Sequence, residues 1–218
     1  MRIIDIKLEL TISPMNFNDI EKEVYSYVEK LYRNVKNPSH GFDHVLRVYR
    51  LCLEIGIREK ADLNVLKIAS LLHDIGRALG YEKNHAAKSA EIAEKYLSSL
   101  GLPLEFIERV IEAIKAHSFS SGEIPKSLEA KVLSDADKLD AIGAIGIARC
   151  FMYSGEQGRG IDKSIEHFYE KLLRLKDLMY TETAKKIALK RHKVMLKFLE
   201  QLKKELELKD VNSSSWRI

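Results

Sequence analysis

Residues Ile68–Leu79, IASLLHDIGRAL, set a His and an Asp side by side inside an otherwise apolar run. Ile68, Ala69, Leu71, Leu72, Ile75, Ala78 and Leu79 cover nearly every face of a helix, the pattern of a helix buried at the centre of an all-helical domain. His73 and Asp74 are therefore expected indoors. A buried carboxylate is costly unless it is paired or bound to a metal, so this position calls for a partner of positive charge. Adjacent helical residues point about 100° apart, so both side chains can reach one ion only if it sits against the helix between them. Imidazole with carboxylate suits Zn, Mn or Fe better than Ca. The plain alternative for an isolated pair is a core His held by a backbone carbonyl, with Asp74 capping or salt-bridging nearby. The case for a metal rests on further ligands elsewhere.

The chain has 218 residues, of which 45% are hydrophobic, enough for one substantial core, so one domain is expected. No stretch approaches about 18 consecutive apolar residues, and no basic segment followed by a long apolar run opens the chain, which reads as a cytoplasmic protein without a membrane span. Cys52 and Cys150 sit in apolar helical patterns with no motif spacing and read as small buried hydrophobes. The 36 basic and 32 acidic residues give a net charge of +4. That is a mixed surface, which argues against a nucleic-acid partner and leaves any preference for anions to a local site.

Working outward, residues 3–13 alternate Ile4, Ile6, Leu8, Leu10 and Ile12 with polar residues, a strand pattern with one apolar face. A lone strand must pair with a copy in another subunit, which hints at a homodimer, or lie on the helical body. Residues 1–14 read as an extension, 15–210 as the domain and 211–218 as a frayed tail. A helix capped by Asn16 or Asn18 is expected over Asp19–Val35, and a second from about Gly41 to Arg58. The central helix follows. A fourth is capped by Asn84 and ends at Gly101, and a fifth opens at Pro103. After a polar loop over Ser118–Ser127, Leu133–Met152 reads as one further buried helix rich in small residues. The glycine-rich loop Ser154–Gly160 is expected to border a pocket, and helices over Asp162–Met179 and Glu182–Leu208 complete the fold. The fold class is all-α, a compact bundle of roughly seven to nine helices.

His44 lies on the helix before the central one, with Arg47 one turn along. Helices joined by a short connection pack antiparallel, so His44 can face His73. In SDADKLDAIGAIGIAR, Asp135, Asp137 and Asp140 share a helix whose other residues are apolar or small, so at least one carboxylate points inward.

A His on one helix, the pair His73-Asp74 on the next and an Asp in an Ala-Asp-Lys-Leu context much later resemble the H…HD…D signature of the HD-domain metal-dependent phosphohydrolases. The likeness runs over most of residues 16–205 and is nearest to the small stand-alone HD hydrolases of bacteria and archaea. It implies His44, His73, Asp74 and Asp137 as ligands of a divalent ion (Mn, Mg, Fe, Ni, Co or Zn). It also implies that His85 and His117 hold a second ion or contact substrate phosphate. The reaction implied is attack of activated water on phosphorus in a small phosphate compound such as a nucleotide, with Asp74 and Lys138 in catalytic roles. Arg47, Arg77, Lys88 and Lys115 are further candidates to meet phosphate oxygens. His40, His167 and His192 read as surface or structural. HD phosphodiesterases and nucleases share these ligands, but AHSFSSGEIP lacks the His-His-Glu and Gly-Tyr-Pro of the cyclic-dinucleotide group. A non-catalytic module of the same fold is the third alternative.

Overall fold

The computed structural model describes residues 16–35, 38–118 and 122–211. The strand pattern of residues 3–13 and the tail from Asn212 lie outside the described residues. No strand is present among those described, which form α1 (Phe17–Tyr32), α2 (Phe42–Glu59), α3 (Leu63–Leu72), α4 (Ile75–Ala78), α5 (His85–Ser99), α6 (Leu104–Ala116), α7 (Leu128–Asp140), α8 (Gly143–Glu156), α9 (Ile161–Glu170) and α10 (Glu182–Leu206). Two 3-10 turns, Pro38–His40 and Leu172–Leu178, complete the set. None of the described helices is long and apolar enough to cross a membrane.

The helix starts follow local chemistry. Asn16, Asp62, Ser127 and Thr181 each accept a backbone N–H of the following turn through the side chain. α3 is the hub: Val65, Leu66, Ile68, Ala69, Leu71 and Leu72 have no exposed surface, and α1, α2, α6 and α7 pack around it. The second layer, α8, α9 and α10, closes over α7 through Cys150, Phe168, Met195 and Leu199.

Two expected helices are each split. The central one ends at Leu72 and resumes at Ile75. Asp74, at φ −116° and ψ 16°, departs from helical geometry, and its carbonyl accepts the Tyr32 hydroxyl at 3.0 Å. The break lets His73 and Asp74 aim at one region, which two successive residues of a continuous helix cannot readily do. The helix expected over Leu133–Met152 is likewise two, α7 and α8, because Gly143 takes φ +78° and a Cβ at Gly146 would lie 2.3 Å from the Ala141 carbonyl oxygen. The small residues here make a sharp corner. The last expected helix before α10 stops at Glu170 and continues as a 3-10 turn.

Gly76 fixes the approach of α4 to α5. Its N–H donates to Ser89 Oγ at 2.9 Å, and a Cβ there would stand 2.7 Å from the His85 carbonyl oxygen. Gly76→Ala should therefore destabilise the protein by about 1–3 kcal/mol, read as a lower urea midpoint. A midpoint equal to that of the unaltered chain would show that α5 has slack the packing does not suggest.

Candidate metal centre

Four imidazoles and two carboxylates converge where α2, the α3–α4 break, α5, α6 and α7 meet. His44 Nε2 stands 3.3 Å from His73 Nε2, 3.7 Å from Asp74 Oδ2 and 3.5 Å from Asp137 Oδ1. On the other side of Asp74, His85 Nε2 and His117 Nε2 each lie 3.5 Å from Oδ1. Two trios of metal-competent groups result, His44-His73-Asp74 and Asp74-His85-His117, which share Asp74. All of these side chains are buried except Asp137, which keeps 28% of its side-chain surface open and faces the cavity.

The inner contacts decide what the centre can hold. His73 Nδ1 meets the Ser70 carbonyl at 2.7 Å and His117 Nδ1 the Ile114 carbonyl at 2.6 Å. A carbonyl only accepts, so the ring protons sit on Nδ1 and the Nε2 lone pairs face inward. His44 Nδ1 meets Asp140 Oδ2 at 2.8 Å and is oriented the same way. Facing lone pairs 3.3 Å apart, beside an Asp74 Oδ1 that is buried with no hydrogen-bond partner, form an electron-rich enclosure that a cation would neutralise. Donor atoms about 2.1 Å from one ion stand roughly 3.0–3.4 Å apart at right or tetrahedral angles. The His44–His73 pair lies in that range and the carboxylate oxygens stand 3.5–3.9 Å from the same imidazoles, so the donor set has the chemistry and near spacing to hold a divalent ion.

Titration follows burial and charge. Burial pushes His73 and His85 down to about 4, and burial with the Arg149 and Arg77 charges pushes His40 down to about 3. His44 is raised: burial and Arg149 depress it, but its hydrogen bond to Asp140 and the nearby carboxylates of Asp74 and Asp137 outweigh them. His117 is raised against burial by the nearby carboxylates of Asp74 and Asp137. Burial would lift the Asp74 carboxyl, yet His73, His117, His44 and Arg77 hold it well below the ordinary range.

Of the other residues read from sequence, Arg77 lies beside the centre, with Nε 3.3 Å from Asp74 Oδ2 and Nη2 3.2 Å from His85 Nε2. Lys138 is buried, depressed by burial, and donates to the Ser134 carbonyl at 3.1 Å. Two further residues expected at phosphate have carboxylate partners. Arg47 is consumed by Asp140 and Asp43 and turned from the cavity, and Lys88 pairs with Glu91 at 2.8 Å on the outer face of α5, one turn past His85. Asp135 spends its carboxylate on the N–H groups of Tyr180 and Thr181, both at 2.8 Å, which anchors the start of α10.

Sequence reading missed His40, Arg149 and Lys171, which line the same inner cavity of about 110 Å³ as Asp74, His117 and Asp137. His40 is set by its neighbour: Ser39 Oγ stands 2.9 Å from His40 Nδ1 and 3.0 Å from Glu156 Oε2. Only the proximity of His40 to His44 in the chain could have hinted at this. Arg149 and Lys171 are one helix and one turn away from any motif. The expected loop shortens because α8 runs through Glu156, but its Arg159 lines an outer cavity of about 330 Å³ that shares His40, Arg77, Arg149 and Lys171 with the inner one. His167 lines that outer cavity too, whereas His192 sits on α10.

Comparison with known proteins shows the family and the fold. Residues 41–142 match the HD domain. The chain is 38% identical to YpgQ of Bacillus subtilis over 203 residues, covering 88% of this chain and 97% of YpgQ. The crystal structure of YpgQ in complex with ADP superposes with a TM-score of 0.74 at 36% identity, over 88% of this chain and 97% of that one. An HD-superfamily hydrolase from Bacillus thuringiensis gives a TM-score of 0.71 at 32% identity, over 88% of this chain and 99% of that one. A partial likeness links 88 residues to ribonuclease Y of Mycoplasma capricolum at 35% identity, 39% of this chain but 17% of that protein.

Metal removal and pH give two tests. A chelator should lower the melting temperature of the unaltered protein, and Asp74→Ala should abolish binding of Mn and make melting insensitive to chelator; equal metal content in both proteins would refute this. In chelated protein, His40, His73 and His85 refuse protons between pH 6.5 and about 4 that the unfolded chain accepts, so stability should fall on acidification through that window, with His44 and His117 opposing. Melting that rises from pH 7 to pH 5 would contradict it.

Proposed function

The chain belongs to the HD domain family, and from that membership we propose that it is a metal-dependent phosphohydrolase acting on a small phosphate compound, most simply a nucleotide. The observation that carries this reading is the pair of His/Asp trios meeting at Asp74 on the wall of a cavity also lined by Arg77, Lys138, Arg149 and Lys171. Electron-rich donors and cations are thus adjacent, as hydrolysis of a phosphate requires. The ADP bound to YpgQ supports a nucleotide as the compound.

In this reading His44, His73, Asp74 and Asp137 hold a divalent ion, with His85 and His117 holding a second or meeting the phosphate. When bound, such an ion supplies Lewis acidity, lowering the pKa of water and polarising a phosphoryl oxygen. The protein does the rest. Asp74 Oδ1, ionised and without a hydrogen-bond partner, accepts a hydrogen bond from the attacking water and aims it. Arg77 and Arg149 stand where charge grows on the equatorial oxygens, and burial spares them much of the screening they would meet in bulk water. Lys138 lies directly after the ligand Asp137; with its depressed pKa it can offer a proton to a leaving oxygen. His40, neutral at physiological pH, adds a polar contact without adding charge.

The test is a product assay with Mn and a panel of nucleoside mono-, di- and triphosphates, a cyclic dinucleotide and single-stranded RNA. Phosphate or pyrophosphate released from mononucleotides is expected. Asp74→Ala should cost more than the roughly 100-fold typical of an outer metal partner, and Arg77→Met about 100-fold or more in kcat. Cleavage confined to RNA or the cyclic dinucleotide would replace this reading with the phosphodiesterase one, and metal binding without turnover would favour a regulatory module.

A further inference from the structure

Asp140 stands outside the proposed ligand set, yet its carboxylate is the most heavily used anion beside it. Oδ2 accepts from His44 Nδ1 at 2.8 Å, from Arg149 Nη1 at 2.9 Å and more distantly from Arg47 Nη2 at 3.1 Å, while Oδ1 takes Arg47 Nε at 2.7 Å. Its side chain is 1% exposed. The partners differ in what they face. His44 Nε2 points into the metal centre, Arg149 lines both the inner and the outer cavity, and Arg47 lines neither. One oxygen therefore touches a group on the metal side and a group on the substrate side.

Building on the hydrolase reading above, we propose that Asp140 is a positioning residue that couples metal affinity to phosphate affinity by sharing Oδ2 between His44 and Arg149. A carboxylate on Nδ1 fixes the imidazole tautomer and makes Nε2 a stronger ligand. The Arg149 hydrogen bond on the same oxygen draws electron density away from that contact. A phosphate that pulls the guanidinium toward the cavity returns the density to His44 and tightens the metal. By linkage, a bound metal favours phosphate to the same degree. Arg149 is not loose meanwhile, because its Nε donates to the Ser39 carbonyl at 2.8 Å, which leaves the Nη1 contact as the one to exchange.

The test is a double-mutant cycle read as the Kd of Mn alone by calorimetry, with folding checked by melting. Asp140→Asn should weaken Mn by about 10–100-fold. Arg149→Met, which removes the shorter of the two guanidinium contacts to Oδ2 and the one that lines the cavity, should tighten Mn by about fivefold, and that gain should vanish when Asp140→Asn is already in place. Equal effects of Arg149→Met in both backgrounds would mean the guanidinium acts on the metal through space, and would overturn the proposal. Should Asp140→Asn fail to fold, Arg149→Lys takes its place in the test: it keeps the charge but loses the Nη1 contact, so a Kd equal to that of the unaltered protein overturns the proposal. An unaltered protein that binds Mn while no variant changes its Kd sinks this inference and spares the hydrolase reading; one that binds no divalent ion sinks both.

Discussion

Everything near the centre answers to one constraint: a carboxylate, Asp74, held ionised at 3% exposure in the middle of a helical core. Such a charge is tolerable only with compensation from several directions. The compensation comes from five elements, through His44, His73, His85, His117 and Arg77, none of which makes a short, saturating hydrogen bond to Oδ1. The break between α3 and α4 lets the chain present this anion together with His73. Tyr32 adds a side-chain bond to the carbonyl at the break, which also accepts the Arg77 N–H at 2.9 Å, so the irregular backbone is satisfied from two directions.

Much of the fold was legible because burial writes itself into spacing. Ile20, Val24 and Val28 on α1 and Val45, Val48, Cys52 and Ile55 on α2 are read as stripes and found buried. The two helix breaks were not legible, because a run apolar on every side looks the same whether straight or bent; at Gly143 the decisive fact is a left-handed φ that composition does not encode. The grouping of His44, His73, Asp74 and Asp137 came from the resemblance to the HD-domain signature, and the fold brings the four side chains together. Of the cations, Arg77 and Lys138 were named and line the cavity, but Arg149 and Lys171 were not, because a charged residue on a helix reads alike whether it meets water or a cavity. Arg47 and Arg149 show the difference: both bond Asp140, and only the fold determines which also reaches the pocket.

α7 works on two faces at once. Asp137 and Asp140 look toward α2, while Asp135 grips the first turn of α10 through Thr181. The last helix is thereby fastened to the element that carries the late acidic groups. Arg191 on that helix donates to the Leu139 carbonyl at 2.5 Å and adds a second fastening to the same end of α7. The position of α10 thus bears on how rigidly the acidic groups are held, although it contributes no group to the cluster.

The bond between His44 and Asp140 spans 96 residues of sequence. A contact of that separation closes a long loop of chain, and its entropic cost is met only after α2, α3 and α7 have found one another. A chain emerging residue by residue therefore has its first histidines long before the late aspartates, and the full chelating geometry comes into being with the tertiary fold. The complete donor set thus exists only in the folded chain.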